Sequence, residues 1–309
     1  MTPLRQALTD YLAMRRALGY QLARAEKLLG QFLAFLEHRG ETHLRTDSAF
    51  AWATQATGTS PRAWAAMRLG VVRGFAQHLS TIDPATEIPP TDLLPRRARR
   101  ATPYLYTSDE LIALMTAATM LRTSHRVATY QTLIGLLAVT GMRGGEAIAL
   151  DRHDFDVEAG LLIVRHGKFG KARELPLHPS AVAAVNQYLH RQDRPHAAAR
   201  TSALLVSTAG TRLLLCNVQR TFRTLVRRAG LQPHSTACRP RPHDLRHRFA
   251  VCTFLDTYRE GKDPGAALSL LSTYLGHVDP TYTYWYLSAA PELLQLAADR
   301  LQQRFGGAL

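Results

Sequence analysis

Cysteine is scarce in this chain of 309 residues, which has three, Cys216, Cys238 and Cys252. They are odd in number and far apart, so they build neither a disulfide framework nor a CxxC metal knuckle. A reduced, cytoplasmic setting is expected, with all three thiols as small buried fillers. No apolar run approaches the roughly 18 residues of a membrane span. The opening stretch MTPLRQALTDYLAMRR is broken by charge and lacks the apolar segment of a secretory signal. Low-complexity tracts and internal repeats are also missing. Acidic residues are the remaining shortage: 24 Asp+Glu stand against 38 Lys+Arg, a formal net charge of +14. Such an excess calls for a polyanionic partner, and nucleic acid is expected ahead of an anionic membrane surface.

What is present is ordinary globular material. Hydrophobic residues make up 46% and charged residues 20%, which excludes global disorder. At roughly 150 residues per domain the length suggests two domains. Residues 1–94 predict a helical domain. Leu4, Leu8, Tyr11, Leu12 and Met14 recur at helical spacing, and Leu28 to Leu36 form a second apolar stripe ended by Gly40. A third helix is predicted over Thr46 to Thr57. A fourth opens at Ser60-Pro61, with Trp64, Met67, Val71, Val72, Phe75 and Leu79 on its apolar side. Arg15, Arg16, Arg24, Lys27, Arg62, Arg68 and Arg73 are expected on the polar faces.

Pro89, Pro90 and Pro95 then forbid a helix, and Arg96, Arg97, Arg99 and Arg100 follow. Residues 95–106 are expected as a basic linker that straps a phosphate backbone. Thr107 and Glu110 form a capping-box pattern that opens the second domain, 107–309. Helices are predicted over 107–121, 125–141, a short stretch through Leu150, 179–192, 216–229, 243–259, 265–276 and 291–305. Residues 161–177 predict two short strands around a Gly-rich turn, with an earlier strand near Phe155. The fold class is therefore mainly α with a small antiparallel β-sheet, a helical N-terminal domain preceding an α+β domain.

Four segments carry candidate chemistry. In TGMRGGEAIAL, Arg143 follows a glycine turn and Glu146 lies one helical turn on; alone, this is an ordinary surface pair. In HGKFGKARELPL, Lys168 and Lys171 flank the turn; Gly170-Lys171 is followed by alanine, which excludes a P-loop. In PHDLRHRFA, His243 and Arg246 share a helix face. His243 and His247 at i,i+4 resemble a zinc-protease pair, but Arg246 between them would repel a metal. In LGHVDPTYTYWYL, His277 follows Gly276, and Tyr282, Tyr284 and Tyr286 follow it; an aromatic cluster by itself is packing.

Their conjunction and order carry more than any one of them. Arg, Lys on a hairpin, His-x-x-Arg, Gly-His, and Tyr nine residues later is the arrangement of one family. The sequence resembles the tyrosine recombinases of the phage-integrase family, especially Xer-like and transposon-borne members, with motifs from Arg143 to Leu287. The upstream helical unit matches the family's core-binding (SAM-like) domain in size and character.

The resemblance implies a site-specific recombinase that cuts and rejoins duplex DNA through a 3′-phosphotyrosine, without metal, nucleotide or other cofactor. It implies that Arg143 and Arg246 clamp the phosphate, that His277 donates to it, and that Tyr286 is the nucleophile. His243 is the implied base, Lys168 the general acid, and Glu146 an orienting residue. Tyr282 and Lys171 are the rivals of Tyr286 and Lys168. The helix carrying Leu293, Leu294, Leu296, Ala297 and Leu301 is expected to dock on a neighbouring protomer in a homo-tetramer on two DNA sites. A type IB topoisomerase-like relaxase and an inactive DNA-binding regulator are the alternatives.

Overall fold

A computed structural model describes residues 2–55, 61–94, 102–165, 172–195, 201–236, 238–277, 279, 281, 283–284 and 291–305. The chain divides into two compact units, Met1–Arg100 and Ala101–Leu309. In the first, α1 (Pro3–Ala17), α2 (Ala23–His38), α3 (Thr46–Thr54) and α4 (Pro61–Leu79) enclose one apolar core. Leu29, Phe32, Leu33, Leu36, Trp52 and Phe75 are at most 2% exposed. Helix α3 ends three residues before the expected Thr57. Met14 is 44% exposed, outside the α1 stripe, because its position falls on the solvent side of that helix.

Arg68 and Arg73, expected on polar faces, are engaged within this unit. Arg68 is buried, its guanidinium 3.7 Å from the centre of the Trp52 ring. Arg73 donates from Nε and Nη2 to the carbonyls of Pro89 and Pro90, both at 2.6 Å, and so fastens the proline segment to α4. Arg62 and Arg96 to Arg100 lie outside the described residues or side chains.

The second unit carries helices α5 (Ser108–Ala118), α6 (Ser124–Thr140), α7 (Gly144–Ala149), α8 (Pro179–Leu189), α9 (Leu215–Arg228), α10 (Asp244–Arg259), α11 (Pro264–Leu275) and α12 (Pro291–Phe305). Strands β1 (Phe155–Asp156), β2 (Leu161–Val164) and β3 (Arg173–Pro176) form an antiparallel sheet in the order β1-β2-β3. The Val164↔Arg173 pair closes the β2–β3 ladder at the mouth of the turn. The fold is thus mainly helical with one small antiparallel sheet, as the sequence predicts.

Local chemistry places the boundaries. Thr107 accepts from the Glu110 amide while the Glu110 side chain accepts from the Thr107 amide, a complete capping box. Helix α5 ends at Ala118 rather than 121. Tyr104 and Tyr106 are buried in the core of this unit, and the Tyr106 hydroxyl donates to the Arg241 carbonyl at 3.1 Å. A second apolar cluster joins α10, α11 and α12, with Phe254, Leu271, Leu275 and Leu293 buried. Cys238 is buried, but Cys216, expected as a core filler, is exposed beside the exposed Leu214 and Leu215 at the start of α9. No described helix is long and apolar enough to cross a membrane.

Candidate active site

The site is assembled at two helix ends. Helices α6 and α11 both stop at a glycine in the left-handed region, Gly141 (φ 60°) and Gly276 (φ 67°). Each reversal delivers a reactive-type residue within two positions. Gly141 leads through Met142 to Arg143, the residue that caps α7, and Gly276 leads to His277.

Arg246, on the first turn of α10, is only 1% exposed and joins these two ends. Its Nη1 donates to the Gly141 carbonyl at 2.8 Å and its Nη2 to the Leu275 carbonyl at 2.7 Å. Both carbonyls lie at the negative ends of helix dipoles, which favours a buried cation there. Nη2 also lies 2.8 Å from Nε2 of His277. A guanidinium can only donate, so Nε2 of His277 accepts and the ring proton sits on Nδ1. That Nδ1 donates to Thr283 Oγ1 at 2.8 Å, and Thr283 Oγ1 is 2.6 Å from Ser272 Oγ. Thr283 and Ser272 are buried, so this hydrogen-bond chain is shielded from water.

Arg143 reaches the same place from the other side. Its Nη2 lies 3.4 Å from the Gly276 carbonyl, its Nη1 donates to Glu146 Oε1 at 2.8 Å, and its amide donates to Glu146 Oε2 at 2.8 Å. The Glu146 carboxylate also accepts from Arg173 on β3, at 2.7 and 3.2 Å. Burial alone would raise the Glu146 pKa, but the bonds from Arg173 and Arg143 outweigh it and hold the carboxyl at about 2. A depressed carboxyl stabilises the fold above its unfolded pKa and loses that contribution as pH falls through the folded one. Glu146→Gln is therefore expected to remove about 3 kcal/mol at pH 7. The difference from wild type should shrink between about pH 5 and pH 2 in urea-unfolding titrations.

His243 caps α10 at the surface, its ring edge-on to that of His247 with centroids 5.0 Å apart. The buried Asp244 holds this turn. It accepts from the Arg241 amide and Nε at 3.0 Å and from Nη2 at 2.9 Å. Burial pushes the Asp244 carboxyl up, against those bonds.

His243 and Arg143 line one groove of about 1280 Å³ beside α9. Arg220, Arg223, Arg227, Arg239 and Arg241 line it too, over an apolar floor that includes Val218, Val226 and Leu231. Such a cation-rimmed surface suits a phosphate backbone.

The structure therefore brings Arg143, Arg246 and His277 together and places His243 on the same groove as Arg143. Lys168, Lys171, Tyr282 and Tyr286 lie outside the described residues, and Tyr284 is 55% exposed. Two participants escaped sequence reasoning. Arg173 sat in the hairpin pattern, but nothing local announced its partner 27 residues away. Thr283 sat in the tyrosine-rich stretch, hidden by its neighbours. Among the described residues, the one cluster of acidic and histidine groups with metal-like spacing is Asp151, His153 and Asp154. There, Asp151 already pairs with Arg212 and Asp154 with Arg165.

The model of the phage integrase family matches residues 105–292. A Sinorhizobium fredii protein named as integrase/recombinase y4rB is 43% identical over 312 residues, covering 99% of both chains. The Mycobacterium tuberculosis tyrosine recombinase XerD is 30% identical over 303 residues, covering 91% of each. Among solved structures, the Tn1549 transposon integrase in complex with a circular intermediate DNA superposes with TM-score 0.62 at 15% identity, covering 97% of this chain and 100% of that one. A lambda integrase dimer bound to a COC′ core site gives TM-score 0.60 at 17% identity, covering 91% and 94%. At such identities these two likenesses concern the fold alone.

Proposed function

This chain belongs to the phage integrase family, and from that membership and its site we propose that it is a site-specific DNA recombinase acting through a 3′-phosphotyrosine. The observation that carries the reading is the convergence of Arg143 on the Gly276 carbonyl and of Arg246 on the Leu275 carbonyl and the His277 ring. Two guanidiniums and an imidazole, from residues spread between 143 and 277 of the chain, face one small volume.

In the proposed reaction the Tyr286 phenol oxygen attacks phosphorus, and the bond from phosphorus to the 5′ oxygen breaks. The phenol proton passes to His243, and Lys168 protonates the departing 5′ oxygen. Tyrosine has an ordinary pKa of about 10, so the cationic surroundings must favour its ionised form. Arg143 and Arg246 would hold the nonbridging oxygens as charge builds on them. His277 donates to the phosphate only with a proton on Nε2. A bound anion favours that proton and draws Arg246 away from the ring. The phosphotyrosine conserves the energy of the cut bond, and a 5′-hydroxyl from a second strand reverses the steps. No step requires a metal or nucleotide.

The integrases solved with DNA support duplex DNA as the substrate here. A lambda integrase tetramer has been solved on a Holliday junction. The proposed assembly is likewise a homo-tetramer on two DNA sites, with the C-terminal tail docked on a neighbour. In the single chain α12 rests on its own unit through Leu293 and Leu296, and Arg300 donates to the Lys262 carbonyl at 2.7 Å. Docking in trans would have to exchange these contacts for equivalent ones. The helical unit of residues 1–94 is proposed as the second DNA-binding domain, with the 95–106 arginines on the backbone between the two.

The test uses a binding site selected from a randomised duplex library with the full chain. A suicide duplex of that site, nicked near the cleavage point, is expected to trap a denaturant-stable protein–DNA adduct in EDTA. Tyr286→Phe is expected to bind the duplex and form no adduct. An adduct with Tyr286→Phe equal to wild type sinks the assignment. Strand exchange between two sites, as against relaxation of supercoils alone, separates recombinase from relaxase.

A further inference from the structure

Arg143 cannot act on a phosphate as a bare cation, because its Nη1 and its amide are both tied to Glu146. Taken alone, that pair is close to neutral, and a neutral pair exerts little pull on a phosphate. Glu146 has a second partner. Arg173 reaches it from the first residue of β3, and both η nitrogens of Arg173 donate to it. The Arg173 side chain is 12% exposed and packs against Gly276, where an added Cβ would lie 3.1 Å from Nη1. Its Nε is buried with no hydrogen-bond partner among the described residues. The side chain is thus aimed at Glu146 and Gly276 even though one donor goes unsatisfied. Two guanidiniums and one carboxylate leave the group with a net charge of +1, next to the carbonyl that Arg143 also contacts.

We propose that Arg173 is a positioning residue for the reaction: by sharing Glu146 it keeps the Arg143 clamp net cationic towards the scissile phosphate. The proposal rests on the phosphotyrosine reading and adds to it a residue that does not touch the DNA. Without Arg173, Glu146 would turn wholly onto Arg143 and neutralise it. The effect is one of charge, so it vanishes when the phosphate itself carries no charge.

The experiment compares adduct formation on two suicide duplexes, one with an ordinary scissile phosphate and one with a neutral methylphosphonate there. Wild type, Arg173→Gln and Arg173→Lys are assayed, and thermal unfolding is recorded for each. On the ordinary duplex Arg173→Gln is expected to slow adduct formation by about 30-fold and Arg173→Lys by less than about fivefold, following the charge. On the methylphosphonate the Arg173→Gln deficit should shrink to within about twofold. Equal losses for Arg173→Gln on both duplexes would mean a merely structural role and overturn the proposal. So would wild-type rates for Arg173→Gln, or a loss in Arg173→Lys as large as in Arg173→Gln. If Arg173→Gln fails to fold, Arg173→Met takes its place: a deficit on the ordinary duplex that closes on the methylphosphonate supports the proposal, and no deficit, or one that persists, overturns it. Failure of wild type to form any adduct instead removes the phosphotyrosine reading, and this proposal with it.

Discussion

Arg246→Ala is expected to slow adduct formation by about 10³-fold or more while the protein still binds its DNA site. Removing one preorganised donor to a developing oxyanion costs on the order of 10²–10³ in rate, and Arg246 offers a two-pronged, charged one. The substitution also reaches beyond chemistry. The Gly141 and Leu275 carbonyls would lose their donor inside the protein, at roughly 1–3 kcal/mol each. A drop in melting temperature should therefore accompany the loss of activity. Arg246→Lys separates the two effects. A lysine keeps the charge but not the planar fork, so stability should partly recover while the rate stays about 10²-fold down. Single-turnover adduct assays beside thermal melts are the measurement. An Arg246→Ala protein that forms adduct at the wild-type rate would remove Arg246 from the proposed clamp.

The second large effect is expected at Gly141. A side chain there meets two obstacles. The backbone angle, φ 60°, is one that residues with a Cβ rarely adopt, and the added Cβ would lie 2.5 Å from a ring carbon of Phe249 and 3.1 Å from Leu275. Gly141→Ala should cost roughly 2–4 kcal/mol, about 10 °C in the melting temperature of the second unit. It should also slow cleavage, because the Gly141 carbonyl anchors Arg246 and the turn places Arg143. Gly135, six residues earlier in the same helix, is the control. A Cβ there meets nothing within 4 Å, so Gly135→Ala should be neutral or stabilising by up to about 1 kcal/mol. Equal effects at the two positions would show that the turn at Gly141 has no special part.

The contrast between these two glycines shows what kind of information a sequence holds. Gly141 and Gly276 could be placed as helix ends because a glycine after an apolar-periodic run is a local signal. The Thr107–Glu110 box could be read for the same reason, since both partners lie within one turn. The arginines could be counted but not allocated. Arg68 and Arg73 looked as available as Arg220 and Arg223, yet the first two are committed to Trp52 and to the proline segment, while the latter line the groove. Which cation faces solvent depends on an aromatic ring or a carbonyl supplied by another part of the chain.

By itself the sequence pointed to a polyanionic partner, through its excess of cations. It also determined the helical character with one small sheet, and it proposed as a site the ordered set of Arg143, Lys168, His243, Arg246, His277 and Tyr286. These rest on composition, on periods of two and 3.6 residues, and on residue types at short spacings, all properties of neighbours along the chain. Tertiary structure alone decided that Arg246 bridges the ends of α6 and α11, that His277 carries its proton on Nδ1, and that Arg173 shares Glu146 with Arg143. Those partners lie 105, 29, 6 and 27 residues apart. A charge or a hydrogen-bond donor acts over a few ångströms of space, and only the packed fold sets which distant residues come that close.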